Sequence, residues 1–210
     1  IYQKFLNFYK REDVFSFGVC NGCQLMVELG IFGENVSLEK NLSEKFESRF
    51  PFVRMKDNTV FSEGFKKFDI GVWSAHAEGR FVFKQSDDTK KYESNDDLTK
   101  IFEEINMSES LHESFIEHPQ NFPCDNDFVI CMSYLNENYL PTEKYPYNPN
   151  GSEMGAAGIA GFPDKNGFCR HVAMMPHPER TFLRQHFPHG REQIKAKYSP
   201  WTNLFLNVYR

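Results

Sequence analysis

Cys20 is the residue of this 210-residue chain whose neighbours are most typical of a nucleophile. Apolar residues alternate before it and take helical spacing after it: Phe15, Phe17 and Val19, then Leu25, Met26 and Leu29. Gly18 and Gly22 leave room for a sharp strand-to-helix turn, and Gly30 is placed to end the helix. A sulfur on such a turn projects from the sheet edge at a helix N-terminus, which favours thiolate. The stretch predicts a reactive thiol, with the N–H groups of Asn21 and Gly22 free to hold an oxyanion.

A nucleophilic cysteine needs a base and the base needs an orienting group, and His177-Pro-Glu179 can supply both. Residues 171–175 read as a last strand, and Pro176 and Pro178 are expected to keep His177 extended. Side chains at positions i and i+2 of an extended chain point the same way. Glu179 is therefore expected to accept a hydrogen bond from the His177 ring, which predicts a Cys-His-Glu triad.

The composition indicates one globular domain and excludes several classes of protein. Apolar residues make up 40% and aromatic residues 16% of the chain. The net charge is −5 with no concentrated basic face, so we expect no nucleic-acid partner. No apolar run approaches the roughly 18 residues of a membrane span, so we expect no membrane partner. Five cysteines without a framework pattern, and no signal-peptide layout at the first residues, favour a reducing compartment, the cytoplasm.

The charge is concentrated in one segment, residues 84–127. It carries 12 acidic and 4 basic side chains, a net charge of −8, which leaves +3 for the rest of the chain. An apolar helical stripe runs through it at Leu98, Ile101, Phe102 and Ile105. We predict an acidic surface insertion that holds one or two helices.

The remaining patterns predict an α/β fold. A helical stripe opens the chain at Ile1, Phe5, Phe8 and Tyr9. Strands are predicted at 46–55, 128–134, 156–162 and 169–175, and a strand, turn and strand at 70–81 with Gly79 at the bend. A last helix, capped by Ser199, is expected to bury Trp201, Leu204, Phe205 and Val208. These elements predict a mostly parallel central sheet with helices on both faces, and Cys20 at the carboxyl end of a strand.

Taken together, the motifs resemble those of the class I (triad) glutamine amidotransferases. The patterns G-x-C-x-G-x-Q and H-P-E are matched by Gly18, Cys20, Gly22 and Gln24, and by His177 and Glu179. The finer resemblance is to the glutaminase domains of the purine-pathway phosphoribosylformylglycinamidine synthases. It rests on Cys20-Asn-Gly-Cys-Gln24, Phe46-Glu-Ser-Arg-Phe50, His76-Ala-Glu-Gly-Arg80, Tyr145-Pro-Tyr-Asn-Pro-Asn-Gly-Ser152, Met174 to Arg180 and Ser199-Pro-Trp201.

This resemblance implies a flavodoxin-like amidotransferase fold in which residues 1–210 are a glutaminase domain. The chain would be a C-terminal fragment of a longer polypeptide, with the N-terminal part of the domain missing. That missing part would supply a second oxyanion donor. The implied catalytic residues are Cys20, His177 and Glu179, with the Asn21 N–H in the oxyanion hole. The implied glutamine pocket contains Gln24, His76, Glu78 and Gly79.

The implied reaction is hydrolysis of L-glutamine to glutamate and ammonia through a cysteinyl γ-glutamyl thioester. The ammonia would pass to a synthetase domain of the same polypeptide. There ATP and Mg²⁺ would activate formylglycinamide ribonucleotide for conversion to formylglycinamidine ribonucleotide. No cofactor is implied in this chain, which shows no Gly-rich phosphate-binding motif.

Two other functions remain open from the sequence. Cys20-Asn-Gly-Cys23 is also a C-x-x-C motif, which is typical of dithiol redox and zinc-binding modules. The other cysteines, which supply no second close pair, are Cys124, Cys131 and Cys169. A redox function leaves His177 and Glu179 unexplained, and we expect no metal site. The second alternative is a non-catalytic binding module of the same fold.

Overall fold

The computed structural model describes residues 2–62, 69–84, 128–189, 192 and 194–209. The predicted acidic insertion at 84–127 lies, apart from Lys84, outside the described residues. The described helices are α1 (Tyr2–Tyr9), α2 (Asn21–Glu28) and α3 (Thr202–Asn207). The described strands are β1 (Ser16–Val19), β2 (Val36–Lys40), β3 (Glu47–Arg49), β4 (Phe52–Met55), β5 (Asp69–Gly71), β6 (Ser74–His76), β7 (Glu78–Phe83), β8 (Phe128–Tyr134), β9 (Ala156–Pro163) and β10 (Cys169–Met174).

Six of these strands form one sheet in the order β1-β10-β9-β8-β4-β5. Strands β2 and β7 form one separate antiparallel pair, and β3 and β6 form another. The α/β class is confirmed, and the mostly parallel arrangement is confirmed only in part. Among the described strand pairs, β1 with β10 is parallel and the others are antiparallel. Strands β9 and β10 must be antiparallel because a tight turn at 164–167 joins them.

The core consists of two apolar clusters that β10 separates. Val172 and Met174 belong to one cluster, whereas Ala173 and the following Met175 belong to the other. Because successive side chains of a strand point to opposite faces, the clusters cover opposite faces of the sheet. The first cluster includes Val53, Met55, Tyr134, Trp201 and Leu204. The second includes Met26, Val27, Phe32, Phe81 and Ile159.

The end of α2 confirms the helix stop predicted at Gly30. Gly30 has φ 66°, in the left-handed region that favours glycine. Its N–H donates to Val27 O at 2.9 Å, and the N–H of Ile31 donates to Met26 O at 3.1 Å. This pair of bonds is a Schellman motif, and Ile31 and Met26 share the same apolar cluster, as that motif favours.

Burial along the predicted apolar stripes differs from the expectation at several residues, among them Phe5 and Phe8 of α1, which are both 37% exposed. Phe15 precedes β1 and is exposed, and α2 buries Cys23, Met26 and Val27 while Leu25 is 49% exposed. In the last helical segment Trp201 and Leu204 are buried as predicted, but Phe205 is 46% exposed. The spacing of apolar residues correctly predicted the helices in the described part of the chain. It did not determine which of the apolar side chains of each helix are buried in the core.

The single strand predicted at 46–55 is wrong. Pro51 separates β3, which pairs with β6, from β4, which pairs with β5 and β8. Proline has no N–H to donate to a ladder, and Pro51 O instead accepts the Val72 N–H at 3.0 Å.

The strand, turn and strand predicted at 70–81 is confirmed in outline but is not a hairpin. Strand β6 pairs with β3 and β7 pairs with β2, so the two strands diverge at Ala77. Gly79 lies inside β7 rather than at the bend.

No helix in the described part of the chain is long and apolar enough to cross a bilayer.

Candidate active site

Cys20 occupies the sharp turn between β1 and α2. Its backbone has φ 51° and ψ −106°, a left-handed φ that is uncommon for a residue with a side chain. The Cys20 N–H donates to Met174 O at the end of β10, at 2.9 Å. The Cys20 carbonyl accepts the first helical bond, from the Gln24 N–H, also at 2.9 Å. The turn therefore fixes a half-buried thiol beside the end of the strand that leads to His177.

The two glycines around Cys20 have different roles. A Cβ atom at Gly18 would lie 2.5 Å from Met26 Sδ and 2.8 Å from the Gly22 carbonyl carbon. Gly18 is therefore required for the close approach of β1 to the first turn of α2. A Cβ atom at Gly22 would meet nothing within 4 Å, so the crowding expected there is absent.

His177 and Glu179 interact as predicted, but on a different backbone. The His177 Nδ1 atom lies 2.7 Å from Glu179 Oε1. The two residues are joined by a 3₁₀ turn, Pro178–Arg180, rather than by extended chain. The His177 N–H donates to Trp73 O at 2.7 Å, which holds the base against the segment that leads into β6. The His177 side chain is buried, whereas that of Glu179 is 47% exposed.

The Nε2 atom of His177 is left to face the thiol. It is buried and has no hydrogen-bond partner within the described residues, so its contact with Cys20 falls short of a formed hydrogen bond. The polar interaction with the His177 ring is nevertheless the largest influence on Cys20, and it lowers the pKa of the thiol against the opposing effect of burial. The backbone of Asn21 and the charge of Arg180 lower the same pKa further.

The electrostatics of the base and its acid are complementary. Cys20 and then Glu179 raise the pKa of His177 from 6.5 to about 9. Burial is the largest single influence on Glu179 and acts to raise its pKa, but the hydrogen bonds from His177 and the backbone, together with the charges of His177 and Arg180, outweigh it, so the pKa is lowered. At neutral pH this arrangement favours a Cys20 thiolate beside a His177 imidazolium, which is the reactive form of a cysteine nucleophile.

Residues 76–79 comprise the end of β6, the bend at Ala77 and the start of β7, and we refer to them as the turn at 76–79. Their carbonyl groups hold this turn beside the site. Each of the four consecutive carbonyls accepts a hydrogen bond. Asn41 binds the first two, through its side chain at 2.7 Å and its backbone N–H at 2.9 Å. Gln24 Nε2 binds Glu78 O at 3.0 Å, and Asn150 Nδ2 binds Gly79 O at 2.9 Å. Gln24 thus joins α2 to the turn, next to Cys20.

The three predicted pocket residues of this turn occupy different positions. His76 is buried behind it, where burial and then the nearby His177 lower its pKa to about 4. Glu78 is exposed and lines an open depression shared with Glu39, Lys40 and Arg80. Gly79 packs tightly, since a Cβ there would lie 2.3 Å from Met175 Cε.

Sequence reasoning missed the buried amides that hold this turn. Asn41 and Asn150 are almost fully buried, and neither was predicted to belong to the site. The neighbouring Ser152 Oγ accepts the Phe81 N–H at 3.0 Å, which fixes β7 as well. The available signal was the resemblance of the Tyr145–Ser152 loop to a family motif, which does not indicate where its amides bind.

The second cysteine of the C-x-x-C motif differs from the first in its environment. Cys23 is fully buried in the apolar cluster, and burial raises its pKa well above the usual value. A buried thiol of this kind is poorly reactive. Within the described ranges, no three His, Cys, Asp or Glu side chains are grouped so that they could hold a metal ion.

Comparison with known proteins identifies the family. The family described as CobB/CobQ-like glutamine amidotransferase domain matches residues 1–113 and 117–210. This chain belongs to that glutamine amidotransferase family. Over 99% of its length the amidotransferase chain is 37% identical to a probable phosphoribosylformylglycinamidine synthase, chloroplastic/mitochondrial, of Arabidopsis thaliana. It is 33% identical over its whole length to the phosphoribosylformylglycinamidine synthase of Saccharomyces cerevisiae.

The amidotransferase chain spans 13% of the Arabidopsis protein and 14% of the yeast protein. Its fold is similar to one in the structure of PurLQS from Thermotoga maritima, with a TM-score of 0.58 and 19% identity. That match covers the whole amidotransferase chain and 66% of the other chain. It supports the amidotransferase type of α/β fold expected from the motifs.

Proposed function

We propose that this chain is the glutaminase part of a phosphoribosylformylglycinamidine synthase. It hydrolyses L-glutamine to glutamate and ammonia through a γ-glutamyl thioester on Cys20. The proposal rests on one observation, the arrangement of Cys20 and His177. Cys20 lies on a turn with a left-handed φ, and His177 has a buried Nε2 atom without a hydrogen-bond partner among the described residues, while its Nδ1 atom is bound to Glu179. The similar proteins of Arabidopsis and yeast carry the synthase name.

In the first half-reaction the Cys20 thiolate attacks the side-chain amide carbon of glutamine. A carbon–sulfur bond forms, and the carbonyl electrons move to an oxyanion. His177 then donates its Nε2 proton to the amide nitrogen as the carbon–nitrogen bond breaks, and ammonia leaves. Glu179 keeps Nε2 directed at the sulfur and stabilises the imidazolium, as the acid does in other triads.

In the second half-reaction water attacks the thioester carbon. His177 takes a proton from the water, and the carbon–sulfur bond breaks to release glutamate and the thiolate. The Asn21 backbone N–H stabilises the oxyanion in both steps. This role is supported by the position of Asn21 at the first residue of α2, where its backbone N–H lowers the pKa of the Cys20 thiol. Loss of one oxyanion donor typically costs about 10² to 10³ in rate.

Glutamine binds along the turn at 76–79, between Gln24 and the open depression at Glu78. Gln24 lies on α2, the helix that begins after Cys20, and its side chain donates a hydrogen bond to Glu78 O of the turn. The same helix therefore positions both the nucleophile and the turn that binds glutamine. His76 is buried and supports the turn from its protein side. Gly79 has no Cβ and so allows the turn to pack closely against Met175. The glutaminase steps use no cofactor.

The ammonia is passed to an ATP-dependent synthetase part of the protein. That part uses ATP and Mg²⁺ to convert formylglycinamide ribonucleotide to formylglycinamidine ribonucleotide in purine biosynthesis. The support is the name and the greater length of the relatives. We also propose a cytoplasmic, reducing environment, since the described cysteines are all free thiols.

The test is covalent labelling of the naturally occurring protein with a diazoketone analogue of glutamine, followed by intact mass and peptide mapping. A single adduct on Cys20 is expected, with loss of nitrogen from the reagent. Excess glutamine should block it, and His177→Ala should abolish it. Cys23→Ser is the matched control and should label normally, because Cys23 faces the core.

Labelling of Cys23 in place of Cys20 would overturn the proposal in favour of a dithiol function. Absence of any adduct on folded protein would favour a binding module of the same fold. Glutamate release from glutamine, assayed on the same preparation, must also disappear in Cys20→Ser.

A further inference from the structure

The amide of Asn150 makes four polar contacts that together determine its orientation. Its Oδ1 atom accepts from the Ser152 N–H at 3.0 Å and from the Ser152 hydroxyl at 2.8 Å. Its Nδ2 atom donates to Gly79 O at 2.9 Å and lies 3.0 Å from His76 Nε2. A reversed amide would place two oxygens against each other at Gly79, so this orientation alone satisfies every partner.

This orientation also determines the state of the His76 ring. Both hydrogens of Asn150 Nδ2 are directed at acceptors, so His76 Nε2 must be the unprotonated nitrogen. The ring proton is therefore on Nδ1, which lies 3.4 Å from Ser74 Oγ. Burial keeps the pKa of His76 far below neutrality, so the ring stays uncharged. An uncharged His76 adds no positive charge beside the His177 imidazolium.

His76 and the catalytic base are joined through one short segment. His177 donates its N–H to Trp73 O, and β6 begins at the next residue. A Cβ at Gly79 would lie 3.0 Å from His76 Cδ2, so the ring also packs directly on the turn. A displacement of the His76 ring would therefore be expected to move both the turn and the Trp73 backbone that binds the His177 N–H.

We propose that Asn150 is a positioning residue for glutamine binding. Its amide holds Gly79 O and the unprotonated Nε2 of His76 together, and so keeps the turn at 76–79 in place beside Cys20 and His177. The inference rests on the proposed function, in which this turn contacts the substrate.

The same loop offers a matched control in Asn148. Its side chain is also fully buried and also makes four hydrogen bonds, to Thr142, Gly151 and Ser152. None of these partners belongs to the turn at 76–79. Asn148→Ala therefore removes four side-chain polar contacts, as many as Asn150→Ala, but none of them is with the turn.

The experiment compares Asn150→Ala, Asn150→Asp and Asn148→Ala in the naturally occurring protein. Asn150→Asp retains the oxygen that Ser152 needs and removes the amide donor, so it tests the contact with less loss of loop structure. Glutamate release gives KM and kcat for glutamine, and hydrogen–deuterium exchange of the peptide at 74–80, which excludes the Phe81 N–H bound to Ser152, reports on the turn. We expect both Asn150 variants to raise KM about tenfold with kcat within about threefold, and to accelerate exchange in that peptide.

The control is expected to change neither KM nor exchange at 74–80. Equal effects at Asn148 and Asn150 would overturn the inference, because they would show general loosening of the loop. Faster exchange with unchanged KM would overturn the link to substrate. A wild-type protein that releases no glutamate would overturn the proposed function itself, and the exchange comparison would still decide whether Asn150 holds the turn.

Discussion

Replacing Glu179 by glutamine is expected to lower the pKa of His177 by about one unit. Cys20 and Glu179 together raise this pKa from 6.5 to about 9. A hydrogen bond to a charged group contributes about 1.5 to 3 kcal/mol. The Glu179 side chain is 47% exposed, so solvent screening reduces its share to just below the lower end of this range, about 1.4 kcal/mol. That free energy corresponds to about one pKa unit, which brings His177 to about 8.

The alkaline limb of kcat/KM for glutamine measures this change. His177 must be protonated to release ammonia, so activity is lost as the pH rises through its pKa. The wild-type limb is expected near the pKa of about 9, and the Glu179→Gln limb about one unit lower. Glu12→Gln, at an exposed glutamate between α1 and β1, controls for the loss of one negative charge.

An unchanged alkaline limb in folded Glu179→Gln protein would refute this reasoning, since it would show that Glu179 does not hold the proton on His177. A shift of the same size in Glu12→Gln would refute it as well, because the effect would then be one of net charge. The rate of Cys20 alkylation by iodoacetamide, followed over the same pH range, reports on the pair without requiring glutamine to bind.

Three further outcomes are expected. Cys20→Ser should abolish glutamate release, whereas Cys23→Ser should keep it within a few-fold, at a cost in stability of about 1 to 3 kcal/mol for a buried hydroxyl. Gly18→Ala should lower the free energy of unfolding in urea by about 1 to 3 kcal/mol through its clash with Met26 and Gly22, whereas Gly22→Ala should leave it nearly unchanged. Burial lowers the pKa of His171 from 6.5 to about 4, so in this window the unfolded chain binds a proton that the folded chain does not. His171 should therefore contribute a fall in stability of up to about 1.4 kcal/mol per pH unit as the pH falls from 6.5 to 4, and His171→Gln should remove this contribution while that of His76 remains.

Local chemistry predicted the features that depend on neighbouring residues. The end of α2 followed from Gly30, because a left-handed residue there closes the Schellman bonds. The strand predicted at 128–134 is observed over the same residues. The pairing of His177 with Glu179 followed from their separation by one residue, although the turn between them has a 3₁₀ geometry.

Features that depend on distant contacts were not predictable from spacing. The direction of strand pairing, and the side of α2 that is buried, depend on which elements pack together. The split of 46–55 at Pro51 had a visible cause, since proline interrupts a ladder, but the alternation of apolar residues on both sides concealed it. The holding of the turn by Asn41 and Asn150 depends on loops that are far from it in sequence.

The exposure of Glu179 makes the buried base sensitive to the ionic medium. The Oε1 atom of Glu179 is bound to the buried His177 ring and also lies 3.6 Å from the Nε atom of the exposed Arg180. At an ionic strength of about 0.15 M, charges are screened over about 8 Å, and exposed groups are screened most. Added salt is therefore expected to weaken the attraction between Glu179 and the His177 imidazolium, even though the ions do not enter the site. The protonation of His177 in this reaction then depends on the ionic strength of the solution.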